Sequence, residues 1–473
     1  MTHTSGGSVS AVDWNALDAA ITGEVVLPGS STYDLARMPF IARFDDVAPS
    51  AVVRCTRPED VAETISFVRR HNLQRAVRSG GHCYAGRSST QGVLIDITPM
   101  RSLSISGDAI TIGAGARLGD IYEQLLEHGL TIPAGSCPTV GIAGLALGGG
   151  FGILGRKHGL TSDHLLGAQV VLADGRVVEC DDDRHADLFW ALRGAGCGNF
   201  GVVTSLVFRP LAAPSVTNLR LTWPAMDAAA VIDAWQHWAP TAPDELAVSV
   251  LLRAPSDAAQ PPFVELVGAM LGDEAETDEL LGELVARAGR EPATVFREHM
   301  SYRDTRRFWA HLDGGGTVVR HGYRFNKSEF FRRVLPTEAV TALVNRFRRD
   351  RVAGQYRELD FSPWGGAYNR VASDATAFAH RDQRFLLKHT AEVHTKAPIA
   401  DKDAAHRWVT QSWDAVHRFG SGSVYPNFPD PDLDAWDPCY YADNHARLLQ
   451  IKAVYDPTDF FNSQPDVPPP ATE

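Results

Sequence analysis

The sequence predicts an α+β protein of two or three domains, on three observations. At 473 residues the chain exceeds what one hydrophobic core serves, and its apolar content suffices for more than one. Its first part alternates short strand-like runs with helical ones around glycine-rich turns, the pattern of small sheets covered on one side. From about Ser215 to Gly420 the texture changes to long strands and amphipathic helices without glycine clusters.

In chain order, Asp13 to Ile21 reads as an amphipathic helix after a polar start. VAPSAVVRCTRPEDVAETISFVRRHN reads as a strand and then a helix that opens near Arg57 to Glu59. The strand RAVRS delivers a turn, VRSGGHCYAGRSS, in which Gly80, Gly81 and Gly86 bracket His82. GVLIDITPMRSLSISGDAITIGAGARLGDIYEQLLEHGL again alternates strands with a helix. GAQVVLADGRVVEC is a hairpin around Asp174 and Gly175, and LFWALRGAGCGNFGVVTSLVFRP adds a further glycine-rich turn and a closing strand. In the middle region LRLTW, LAVSVLL, FVELVGAML, VVRHGYRF, YRELDFSPW and FLLKHTAEVHT are strand-like. Val231, Trp235 and Trp238, then Leu280, Leu281, Leu284, Val285 and Ala288, fall at helical spacing and belong to the core. Helices that bury one face of an antiparallel sheet leave the other face to line a pocket.

The stretch from Thr131 to Asp163, TIPAGSCPTVGIAGLALGGGFGILGRKHGLTSD, is too flexible for a helix and too bare for a core strand. Such backbone suits close approach to a large flat cofactor with a diphosphate. Gly150, Gly152 and Gly155 spell GxGxxG, with Asp174 about 20 residues on. A nicotinamide-binding turn needs a strand before its first glycine and an unbroken helix after its third. Here PAGSCPTVGIAGLALG precedes and Gly159 interrupts, so context rejects that cofactor. Flavin is the alternative: the His82 turn and the stretch carrying Cys137 suit opposite edges of one ring system. Taken singly, His82 is a turn or core histidine and Cys137 a small buried hydrophobe.

A formal charge of −12 without a basic cluster argues against nucleic acid. No run reaches the eighteen or so apolar residues of a membrane span, and the N-terminus lacks the charged and apolar regions of a signal peptide, so a cytoplasmic location is expected. Cys55, Cys83, Cys137, Cys180, Cys197 and Cys439 show neither CxxC nor regular spacing, which predicts no metal site and no disulfide framework.

Nearly the whole chain resembles the berberine-bridge-enzyme-like flavoprotein oxidases of the vanillyl-alcohol-oxidase, p-cresol-methylhydroxylase superfamily. The resemblance runs from GEVVLPGSSTYDLAR through RSGGHCYAG, VLIDITPMRSL, GSCPTVGIAGLALGGGFGILGRKHGLTSD, DLFWALRGAGCGNFGVVT and YNRVASDATAFAHRD to CYYADNHARLLQIKAVYDPTDFFNSQ. It implies a PCMH-type FAD-binding domain of two α+β subdomains over residues 1–214, a substrate-binding domain over 215–420, and a segment over 421–473 that returns to the first. It implies FAD linked twice, from His82 to the flavin 8-methyl carbon and from Cys137 to ring carbon 6. Cofactor contacts carried over are Arg78, Ser79, Gly80, Gly81 and Gly86; Thr139, Val140, Gly141, Gly144, Gly148, Gly149 and Gly152; Gly198, Asn199, Gly201 and Val202; and Asn462 and Gln464. Two departures stand out: Cys83 where the family usually has serine or a similar small residue, and Pro465 where it has serine.

The resemblance also makes Tyr440, first of the pair Tyr440–Tyr441, the catalytic base. Alcohol oxidation needs a proton taken from oxygen while hydride leaves carbon, with the base within about 3 Å of the hydroxyl. A phenol of pKa about 10 serves only when neighbours stabilise the phenolate or take the proton onward. In carbohydrate-oxidising relatives a carboxylate does this, and RELDFSPWGGAYNR places Asp360 there, with Glu358 on the same strand face. Lys388, His389 and Glu392 are expected to line the substrate pocket. Val140, three residues after the linking cysteine, matches the valine of oxidases rather than the larger residues of dehydrogenase-like members. The expected activity is oxidation of a sugar hydroxyl or hemiacetal, with O2 reduced to hydrogen peroxide, by a monomer or small homo-oligomer. A biosynthetic oxidase acting on a glycosylated polyketide or an alkaloid is the alternative, and a non-catalytic flavin-binding protein the third reading.

Overall fold

The computed structural model describes residues 12–314, 320–433 and 436–462. A four-stranded sheet is ordered Glu24–Val26, Ala51–Arg54, Val93–Asp96, Arg75–Arg78, its first pair antiparallel and the rest parallel. A five-stranded antiparallel sheet runs Leu103–Ser106, Ala109–Gly113, Val202–Phe208, Leu165–Val171, Val177–Cys180. The helix Pro58–Arg70 touches strands of both sheets. Proline at its first turn and Asp60 just inside fit the start of a helix, because the N–H groups there have no partner within the helix. The buried Asp60 carboxylate accepts from the backbone N–H groups of Thr22 and Thr56, both at 2.8 Å. The expected hairpin forms around Gly175, which adopts φ +87°, a conformation glycine reaches without penalty.

Seven antiparallel strands form the third sheet, in the order Thr294–Ser301, Ser215–Pro224, Phe263–Met270, Leu246–Ala254, Tyr356–Pro363, Phe385–Val393, Tyr323–Phe331. Helices Ala228–Trp238, Glu274–Ala288, Thr337–Arg348 and Ile399–His417 pack with it into one apolar core. Val231, Trp235, Trp238, Leu281 and Leu284 are buried there as their spacing predicts. Two elements differ from expectation. Thr294–Ser301 is an exposed edge strand whose sequence alternates too weakly to be read. Of VVRHGYRF, Val318 and Val319 lie outside the described residues; His321 bridges to Ile41, and pairing within the sheet starts only at Tyr323.

The C-terminal helix His445–Tyr455 returns to the first two sheets through Lys452, whose fully buried Nζ donates to Asn199 O at 2.7 Å and Phe461 O at 2.8 Å and pairs with Asp456 at 2.8 Å. A buried ammonium needs this full set of acceptors. No helix among the described residues is long and apolar enough to cross a membrane.

Candidate active site

Two cavities meet at the glycine-rich turns. The smaller, of about 420 Å³, is walled by residues 79–89, by Val140, Gly141 and Gly144, by Gly198, Gly201 and Val202, and by Phe461 and Asn462. The larger, of about 750 Å³, lies between residues 135–140 and the helix-free face of the seven-stranded sheet. Tyr84, Val140, Leu145, Asn427 and Phe428 border both.

His82, on the smaller cavity, and Cys137, on the larger, meet through Thr139. His82 Nε2 lies 3.0 Å from Thr139 Oγ1, and the same hydroxyl lies 3.4 Å from Cys137 Sγ. Phe40 stacks on the imidazole at 3.9 Å. Burial, with Arg117 nearby, pushes His82 down to about 3, so the ring is neutral at working pH. The turns touch backbone to backbone: a Cβ on Gly80 would stand 2.2 Å from Gly141 N.

The smaller cavity fits a dinucleotide with a diphosphate. Arg87 lines it, and the buried Nε and Nη2 of its guanidinium have no hydrogen-bond partner among the described residues. At Gly144 a Cβ would meet no protein atom within 4 Å, which leaves open space at the cavity wall.

In the larger cavity strand alternation decides what faces inward. Tyr356, Glu358, Asp360 and Ser362 share one face of their strand, and Lys388 and Glu392 share the facing side of the next. Lys388 Nζ lies 3.0 Å from Asp360 Oδ2 and 3.6 Å from Glu358 Oε1. Glu358 also accepts from Tyr356 Oη at 2.7 Å and pairs with Arg253 at 3.2 Å, while Glu392 pairs with Arg324. Burial works against the charge of Glu358, but Lys388 and Arg253 overcome it and hold the carboxyl at about 2. Burial likewise opposes the charge of Lys388, which Asp360 and Glu358 more than restore, so its pKa is raised.

Comparison with known proteins places the chain. Residues 49–181 match the FAD binding domain family, and residues 424–468 match the family described as berberine and berberine like. An FAD-linked oxidoreductase of Bacillus subtilis, YgaK, is 30% identical over 469 residues, covering 95% of this chain and 97% of the relative. The chain belongs to the berberine-bridge-enzyme-like FAD-linked oxidases. Within this family a chitooligosaccharide oxidase of Gibberella zeae is 30% identical, covering 93% of this chain and 90% of the relative. The solved structure of a glucooligosaccharide oxidase from Acremonium strictum, described as carrying a 6-S-cysteinyl, 8α-N1-histidyl FAD, superposes with a TM-score of 0.87 at 27% identity, over 97% of this chain and 99% of that one.

Several residues expected at the site lie elsewhere. Tyr440 lines neither cavity: it is buried in the core of the first two sheets, and its hydroxyl accepts the Asp430 backbone N–H at 2.7 Å. Burial raises its pKa. This placement rules against its role as base. His389 points to the opposite face of its strand from Lys388, where Nδ1 meets Ser412 Oγ of a covering helix at 2.9 Å. Arg78 props the His82 turn from beneath, donating to Ser88 O at 2.9 Å and Ala36 O at 3.0 Å, and lines no cavity. Asn199 turns inward to Ala195 O at 2.9 Å. Gly148 and Gly149 serve packing, since a Cβ would stand 2.3 Å from Asn427 Oδ1 or 3.0 Å from Phe378, and Gly152 borders the larger cavity rather than the smaller. Gln464 and Pro465 lie outside the described residues.

The remaining candidates border one cavity or the other: Ser79, Gly80, Gly81, His82, Gly86, Val140, Gly141, Gly144, Gly201, Val202 and Asn462 the smaller; Cys137, Thr139, Glu358, Asp360, Lys388 and Glu392 the larger. Sequence reasoning missed Tyr84, Tyr425, Asn427, Arg253 and Arg324, all at cavity walls. Tyr425 Oη accepts from Gly150 N and Asn427 Nδ2, both at 3.0 Å. Only Tyr84, two residues past His82, stood close to a signal in the chain.

Proposed function

We propose that this FAD-linked oxidoreductase carries its flavin bound through both His82 and Cys137 and oxidises a hydroxyl or hemiacetal of an oligosaccharide to a carbonyl or lactone, with O2 taken to hydrogen peroxide. The observation that carries this reading is the charged inner face of the sheet. Lys388, Asp360, Glu358 and Arg253 project together into a 750 Å³ cavity that reaches Cys137, which meets His82 through Thr139. A polyhydroxylated substrate supplies the hydrogen bonds that such a wall loses on desolvation, which a bare hydrocarbon does not. Two relatives that align over more than nine-tenths of this chain, a chitooligosaccharide oxidase and a glucooligosaccharide oxidase, support the choice.

When bound, FAD accepts the hydride. The chain's own residues do the rest. Asp360 accepts the proton of the substrate hydroxyl, and Lys388 keeps that carboxylate ionised and aimed into the cavity. Tyr84, on the border of both cavities, orients the hydroxyl. Arg253, Arg324 and Glu392 hold the outer sugar units. Val140, also on the border, controls the approach of dioxygen.

The apolar stretch of wall formed by Leu251, Val267, Trp309 and Leu312 favours a second reading, an oxidase of a glycosylated polyketide or an alkaloid. Anaerobic mixing of the yellow protein with a panel of oligosaccharides, alcohols and alkaloids separates the two. Rapid bleaching by an oligosaccharide supports the first reading; bleaching only by an aromatic natural product replaces it with the second.

A further inference from the structure

We propose that Thr139 is the positioning residue for both covalent attachments, selecting the histidine nitrogen that bonds and holding the cysteine sulfur beside it. This rests on the reading of a doubly linked flavin given above.

The geometry is specific. One hydroxyl stands 3.0 Å from His82 Nε2 and 3.4 Å from Cys137 Sγ, beside Val140, which borders both cavities. A threonine hydroxyl donates one hydrogen bond and accepts two, so it can receive Nε2–H and donate to sulfur at once. The hydrogen bond made by one imidazole nitrogen decides the state of the other. With its proton held at Nε2, His82 keeps a free lone pair at Nδ1, the nitrogen that forms the bond. Phe40, stacked at 3.9 Å, fixes the plane in which that lone pair points. The ring is neutral because it is buried, so the lone pair is available at working pH.

Each attachment balances with dioxygen as oxidant. At the ring methyl, a C–H and the histidine N–H are broken and a C–N bond forms; at ring carbon 6, a C–H and the cysteine S–H are broken and a C–S bond forms. In each case two protons and two electrons leave and reduce one O2 to hydrogen peroxide. As Nδ1 bonds carbon, the Nε2 proton departs through Thr139 Oγ1. Thr139 therefore relays the histidine proton, which ends on the peroxide, while fixing the sulfur for the second bond.

The test compares wild type, Thr139→Val, Thr139→Ala and Thr139→Ser, each expressed with FAD in air, denatured, digested and read by peptide mass. Wild type and Thr139→Ser are expected to carry FAD on both the His82 and Cys137 peptides. In Thr139→Val and Thr139→Ala, which retain the yellow native protein, doubly linked FAD is expected to fall at least tenfold. Rescue by serine marks the hydroxyl rather than the volume as the active feature. Doubly linked FAD at the wild-type level in either hydroxyl-free variant overturns the role of Thr139. Wild type without covalent FAD instead overturns the linkage on which it rests.

Discussion

Asp360 and Lys388 face one another across neighbouring strands, with Nζ 3.0 Å from Oδ2, and the same ammonium lies 3.6 Å from Glu358 on the other side. One cation thus stands between two carboxylates on a cavity wall.

Replacing Lys388 with Met leaves Glu358 and Asp360 adjacent without their shared cation. Breaking a buried ion pair from one side costs about 3–5 kcal/mol. In the native protein Glu358 sits at about 2, below its ordinary value, so its contribution is present above the unfolded pKa of about 4.3 and lost as pH falls through about 2. Lys388→Met lets this carboxyl protonate at higher pH. The variant should therefore lose most stability at pH 7 and less at pH 4, by thermal denaturation. Equal losses at the two pH values would contradict the pairing.

Asp360→Asn keeps the shape and the contact with Ser362 but removes the proposed proton acceptor. Flavin reduction in anaerobic stopped flow should slow by about 10²–10⁴-fold, while FAD content stays unchanged. A loss below threefold would assign the proton to another group.

Tyr440 and Tyr84 should behave oppositely. Tyr440→Phe removes a hydroxyl that accepts one backbone N–H away from both cavities, costing about 1 kcal/mol and leaving flavin reduction at the wild-type rate. Tyr84→Phe, on the border of the cavities, should lower that rate about tenfold. A large rate loss in Tyr440→Phe would restore it as the base.

Burial depresses His321 to about 2, His380 to about 4 and His389 to about 3, so all three are neutral in the fold. The unfolded chain takes up protons below about pH 6.5 that the folded chain does not, which makes stability fall as pH drops. Each histidine removes about 2 kcal/mol by pH 5. The melting temperature should be clearly lower at pH 5 than at pH 7; a flat profile would mean that these rings are protonated in the fold.

What the chain made legible follows from period and proximity. Two-residue alternation along RELDF put Glu358 and Asp360 on one face, and applied to FLLKHTAEVHT it separates Lys388 and Glu392 from His389, which falls on the covered face. Local turns carried His82 with Gly80, and Cys137 with Thr139. Nothing local tells which tyrosine faces a cavity. Tyr440 and Tyr425 both lie in the C-terminal segment, and only the packing of its helix and loop against the rest of the fold turns one inward to the core and the other to the cavity. Arg253 and Arg324 were hidden for a related reason, since they meet Glu358 and Glu392 only through strand order across the sheet.

The central claim is a flavin held by His82 from one turn and Cys137 from another. Acid precipitation of the yellow wild-type protein tests it most directly. The colour is expected to stay with the precipitated protein and the denatured chain to be heavier by one FAD; colour released into the supernatant, with a mass equal to the bare chain, would rule out the double attachment.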